Sequence, residues 1–134
     1  MSPRRRAGAD PRARAAEICL ALPEAVEERH GRHAMYLVRK KKFAYYLDDH
    51  HGDGRLAVNC RAAPGENEAF VAEDPVRFYI PPYVGPRGRV GIYDDVDDVD
   101  WDELADLVTA SYRSLAPKKL VAALDAEPGG AVAP

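Results

Sequence analysis

Cysteine is scarce in this 134-residue sequence, with Cys19 and Cys60 alone. Two cysteines are too few for a disulfide scaffold or a four-cysteine zinc site. No apolar run approaches the roughly 18 residues that a membrane-crossing helix needs, so an integral membrane protein is not expected. The opening Met-Ser-Pro-Arg-Arg-Arg has no apolar segment behind its arginines, so no secretory signal is expected either. The Gly-x-Ser-x-Gly elbow, the Walker phosphate loop, the dinucleotide-binding glycine pattern and the Cys-x-x-Cys pair are all missing. No catalytic residue and no cofactor is therefore assigned. A non-enzymatic, cytoplasmic protein of bacterial type is the expectation, as a monomer or weak homodimer. Lysines are few, five against 14 arginines, a bias of GC-rich coding that carries no chemistry.

What is present describes a soluble globular domain, 46% hydrophobic and 31% charged. The net charge of −3 is unevenly spread. Residues 1–14 carry five arginines against Asp10, whereas residues 15–124 carry 14 basic and 19 acidic side chains, a net of −5. A body of that sign repels polyphosphate at long range, so any nucleic-acid role must rest on a local basic patch. Residues 1–9 lack apolar anchors and residues 125–134 hold turn formers without periodicity. Both are expected to be disordered tails around a single domain over residues 10–124.

Asp10-Pro11 reads as an N-cap followed by proline at the first helical position. Ala15, Ile18, Cys19 and Leu22 then mark one helical face that Pro23 closes, with Cys19 as a core residue. Period two follows. Met35 and Leu37, then Phe43, Tyr45 and Leu47, then Leu56, Val58 and Cys60 each alternate with a second set, which predicts three consecutive antiparallel strands. Their turns fall at 39–42 and 48–54. A short helix is predicted over 66–73, a fourth strand from Phe78 and Ile80, and a fifth from Val90 and Ile92 after the turn at 85–88. Asp100-Trp-Asp-Glu103 has the form of a capping box, and Leu104, Leu107, Val108, Tyr112 and Leu115 share one face of the helix behind it. Pro117 restarts a last helix with Leu120, Val121 and Leu124. The order α-βββ-α-ββ-α(α) predicts an α+β domain, helices packed on an antiparallel sheet of about five strands.

Three segments, Val38-Arg-Lys-Lys-Lys-Phe-Ala44, Arg77-Phe-Tyr-Ile-Pro-Pro-Tyr-Val-Gly85, and Asp100-Trp-Asp-Glu-Leu104 through Tyr112 to Ala116-Pro-Lys-Lys-Leu120, together resemble the MmcQ/YjbR family. The resemblance covers about residues 15–124. It implies a compact α+β "double-wing" fold and, by the label its members commonly carry, DNA binding. Where members often have tryptophan after the turn glycine of the last hairpin, Arg89 stands here.

The candidate nucleic-acid contacts are Arg39, Lys40, Lys41 and Lys42 in one hairpin turn, and Arg87 and Arg89 beside the glycines of another. Cations at hairpin tips reach phosphates, and guanidinium groups next to glycine approach them closely. Both fingers must lie on one side for either to matter. The alternative is a small-molecule or protein-binding module using a tyrosine-rich sheet face, with Tyr36, Tyr46, Arg61, Tyr79 and Tyr83 as its candidates and no nucleic-acid activity. Metal is not expected. His30 and His33 stand three apart before the first long strand, and His50 and His51 are adjacent in a turn, both poor chelating geometries. The acidic run from Asp94 to Asp106 lacks the glycine and terminal glutamate of a calcium loop. Its second half suits a helix N-terminus.

Overall fold

The computed structural model describes residues 10–49, 52, 54–81, 88–96 and 99–126. Helix α1 (Pro11–Leu20) precedes strands β1 (Val26–His30), β2 (His33–Val38), β3 (Lys41–Asp48) and β4 (Leu56–Arg61). Helix α2 (Glu66–Glu73), strands β5 (Phe78–Tyr79) and β6 (Arg89–Tyr93), and helices α3 (Trp101–Leu115) and α4 (Lys118–Ala126) follow. The strands form one sheet in the order β1-β2-β3-β4-β6-β5, every neighbouring pair antiparallel. The fold is α+β, as expected, with one strand more than the sequence pattern reveals.

That extra strand is β1. Its sequence, Val-Glu-Glu-Arg-His, has no apolar alternation because it is an exposed edge held by backbone pairing to β2. Gly31, with φ +62°, opens a two-residue turn into β2. His30 and His33 are therefore cross-strand partners in a hairpin, not positions on a single strand. Among the described residues no group of three or more potential metal ligands is brought together.

The helix starts follow their caps. Asp10 accepts a hydrogen bond from the Arg12 amide at 3.2 Å with Pro11 in the first turn, and Asp100 accepts from the Glu103 amide at 3.0 Å. The Glu103 carboxylate goes elsewhere, to Arg77, so the box closes on one side only. Helix α4 runs to Ala126, past the expected domain end at 124, because Asp125 pairs with Arg113 of α3. The tail residues 1–9 and 127–134 lie outside the described residues.

Helices α1, α3 and α4 cover one sheet face. Ala15, Cys19, Leu104, Val108, Tyr112 and Leu120 pack there on Ala34, Tyr36, Ala44, Tyr46, Val58, Cys60, Val90 and Ile92. Ser111 fixes α3 on the sheet and Tyr112 ties it to the connection between α1 and β1. The buried Ser111 hydroxyl donates to the Phe43 carbonyl at 2.6 Å and accepts from the Arg61 amide at 2.9 Å, and the Tyr112 hydroxyl donates to the Pro23 carbonyl at 2.7 Å. Cys60 is sealed in this layer, where burial pushes its thiol up to about 12, which removes it as a nucleophile.

One member of the core is out of character. Asp94, just past β6, is 0% exposed, and neither carboxylate oxygen has a hydrogen-bond partner. Burial raises its proton affinity well above the ordinary aspartate range, and the neighbouring Asp95 charge adds to this. A folded-state pKa above the unfolded one leaves stability intact at low pH and removes it as pH rises through the unfolded value towards the folded one. Replacing Asp94 with Asn should therefore make the protein progressively more stable than wild type between pH 4 and pH 8. In urea unfolding the gap should widen steadily as pH rises across this range. Parallel pH profiles would contradict this account of Asp94.

Candidate nucleic-acid interface

Strand register decides which charges meet. Val38 pairs with Lys41, Ala44 with Cys60 and Arg61 with Arg89, so the β2–β3 turn, the end of β4 and the start of β6 share one end of the sheet. The β2–β3 turn and Arg89 thus lie on one side of the sheet. Arg39 and Lys40 form the two-residue β2–β3 turn with φ of +50° and +70°. Both values are left-handed, the signature of a type I′ turn, where Asn and Gly are the comfortable residues. Cations are held here against a conformational cost.

The four members of this turn do not present four equal charges. Arg39 is bound bidentately by Glu24, at 2.6 and 3.2 Å, which holds the Glu24 carboxyl below its ordinary range and matches the Arg39 charge. Lys40, Lys41 and Lys42 are exposed, and among the described residues none of them pairs with a carboxylate. Arg61, which the sequence reading assigned to a ligand groove, and the half-buried Arg89 also pair with no carboxylate among the described residues. The Arg89 side chain crosses β4 to reach β3. It donates to the Lys42 carbonyl at 2.9 Å, and its guanidinium carbon lies 5.3 Å from the centre of the Tyr45 ring. Arg87 and Tyr83 lie outside the described residues.

The opposite end of the sheet is acidic. Asp48 ends β3 and Asp49 follows it, the two sharing Arg32 at 3.0 and 3.7 Å, while Asp95 follows β6 and is held by Arg55 and by the Leu56 amide at 2.9 Å. Burial works to raise the Asp95 carboxyl, but those hydrogen bonds bring it below its ordinary range, so it stays charged. The sheet therefore carries unpaired cations at one end and carboxylates at the other.

The tyrosine reading needs correction. Tyr36 and Tyr46 do not face outward: they are 1% and 2% exposed, under the helices. For Tyr46 the cause is a bulge in β3. Tyr36 pairs with Ala44 and Leu37 with Lys42, which leaves Phe43 as an extra residue. Phe43 turns inward against Tyr112, ring centres 5.4 Å apart, and the alternation of β3 is set so that Ala44 and Tyr46 face the core. Period-two spacing alone cannot choose the buried face when both faces carry large apolar groups. Tyr45, Tyr79 and Tyr93 occupy the outer face instead. Tyr79 stacks on Tyr93 at 4.7 Å, Arg55 sits 3.6 Å from the Tyr93 ring centre on β6, and Tyr79 fills the space above Gly91. This face is packed with side chains. A groove of about 930 Å³ opens elsewhere, in the helix layer, lined by Ile18, Leu22, Trp101, Ala105 and Leu124. Asn59 and Tyr45, cross-strand partners, were not among the candidates, and the outer position of Tyr45 follows from the bulge.

The motifs, the sheet order and the helix positions converge with a direct comparison: a family model described as YjbR matches residues 20–114. The chain belongs to the YjbR family. Its fold is similar to that of Deinococcus radiodurans protein DR2400, a DUF419-domain protein, with a TM-score of 0.57 and 18% identity over 72% of each chain. At that identity the likeness speaks for the fold alone. No curated protein matches the chain significantly.

The packing of the outer face is testable at Gly91. A Cβ there would lie 2.1–2.7 Å from three ring atoms of Tyr79, so Gly91→Ala must push that ring away and break its stack on Tyr93. The variant should lose about 1–3 kcal/mol in denaturant unfolding and change its near-UV tyrosine dichroism. An unaltered midpoint would mean that Tyr79 swings clear at no cost.

Proposed function

We propose that this YjbR-family protein binds DNA, holding the phosphate backbone at the basic end of its sheet. The observation that carries the reading is the gathering of unpaired Lys40, Lys41, Lys42, Arg61 and Arg89 at one end while the carboxylates of Asp48, Asp49 and Asp95 stand at the other. A net-negative body then orients itself on a polyanion, acidic end outward. The lysines of the strained turn support the same reading, since backbone strain retained at an exposed tip is a functional signature rather than a packing need. The binding is of moderate affinity, electrostatic and indifferent to sequence in its phosphate contacts. No catalytic step is assigned, and the reading takes the protein to be cytoplasmic, where DNA is within reach in a bacterium. The alternative, a ligand or protein partner on the tyrosine face, keeps Tyr79 and Arg61 of its candidates and gains Tyr45 and Tyr93, but that surface is already filled by its own side chains.

Fluorescence anisotropy with a labelled random duplex tests this. Three to four phosphate contacts predict a loss of affinity of roughly 40- to 150-fold between about 50 and 200 mM salt. Replacing Lys40, Lys41 and Lys42 with Ala should abolish saturable binding. Lys40→Gly separates function from fold: relief of the left-handed φ should stabilise the protein by about 1 kcal/mol while weakening the duplex. Absence of binding at the lower salt would defeat the proposal.

A further inference from the structure

We propose that Arg61 and Arg89 together form a built site for a single phosphate group. The site belongs to the same basic end as the DNA reading, yet it rests on separate observations and fails separately. Arg61 and Arg89 are direct cross-strand partners on the β4–β6 pair. Like charges in that position repel, and an antiparallel sheet ordinarily avoids them or supplies a counter-charge between them. Here no carboxylate among the described residues pairs with either side chain.

Arg89 is also partly sunk into the sheet. Its Nη2 donates to the Lys42 carbonyl, but its Nη1 is buried with no acceptor at all. A guanidinium cannot shed its charge to escape that position, and burial together with the Arg61 charge already lowers its proton affinity. One unmet guanidinium donor and two facing cations without a counter-charge describe a place that lacks an acceptor. The ligand must be an anion with several oxygens set apart, since each guanidinium presents a planar fork of donors. A phosphate meets that demand: it takes the unpaired Nη1 of Arg89, reached by a turn of that guanidinium out of the sheet, and the fork of Arg61 at once, and its charge offsets the repulsion between them. Lys42, whose backbone Arg89 grips, stands at the mouth. The phosphate group comes either from a phosphodiester of the nucleic acid or from a soluble phosphate.

The experiment has two arms at constant ionic strength. In the first, the melting temperature of the full chain is followed as sodium chloride is exchanged for inorganic phosphate. In the second, a duplex without terminal phosphates is titrated by anisotropy. Both arms compare wild type with Arg61→Ala and Arg89→Lys. Arg61→Ala removes an exposed side chain and leaves its amide bond to Ser111, so folding is preserved. Arg89→Lys keeps the charge and removes the fork. Lys118→Ala, on α4, is the control cation. The expected result is a melting temperature that climbs with phosphate in wild type and control, and an affinity at least roughly tenfold weaker in both arginine variants for the probe that binds. A response to phosphate that both arginine variants lose, without duplex binding, keeps the site, assigns it to soluble phosphate and ends the DNA reading, whereas a response that the variants keep is the general salt effect and overturns the site. Duplex binding that is unchanged by either arginine variant overturns the site and leaves the DNA reading standing. No phosphate response together with no arginine effect on the duplex overturns the site as well.

Discussion

The bulge at Phe43 is the constraint on which the rest of this structure depends. One extra residue in β3 turns Phe43 into the core against Tyr112 and sets the alternation that buries Ala44 and Tyr46. The same register brings the Phe43 carbonyl to the Ser111 hydroxyl, whose other contact is the Arg61 amide at the end of β4. A single buried hydroxyl thus ties α3 to the strands that carry the basic end. Without the bulge, Tyr45 rather than Tyr46 would face the helices and Arg89 would have no ring to cross.

Antiparallel pairing then sorts the charges. Strands β3, β4 and β6 alternate in direction, so the start of β3, the end of β4 and the start of β6 coincide. These are the positions that hold Lys41, Lys42, Arg61 and Arg89, while the reverse ends hold Asp48, Arg55 and Asp95. At the acidic end Arg32 and Arg55 offset only part of the charge of Asp48, Asp49 and Asp95. At the basic end, among the described residues, only Arg39 is matched, by Glu24. An unmatched cation on a protein with a net-negative body is available to a ligand, and five of them within one end make a surface that net charge does not reveal.

Much of this was legible in the chain itself. The capped helix from Asp100, the helix after Asp10 and the strands around Tyr36, Tyr46 and Val58 stand where propensity and spacing put them, because local capping and apolar periodicity are local physics. The exposed edge strand Val26–His30 was not legible, since an edge strand needs only backbone partners and shows no apolar face. Nor was the orientation of Tyr36 and Tyr46: both phases of an aromatic-rich alternation look alike until a long-range partner selects one. Of the candidate site, the basic turn could be read directly. The match of Arg39 to Glu24 and the approach of Arg89 to Arg61 could not, because residues 15 and 28 positions apart meet only through sheet register.

The central claim is that the sheet has a binding end and a repelling end. Backbone amide shifts during titration with a short duplex test it most directly. Perturbations centred on residues 40–44, 59–61 and 88–90, with Asp48, Asp49, Asp95 and the exposed faces of α1 and α4 unmoved, are the predicted result. Perturbations at the acidic end or across the helix layer, or none at low salt, would contradict it.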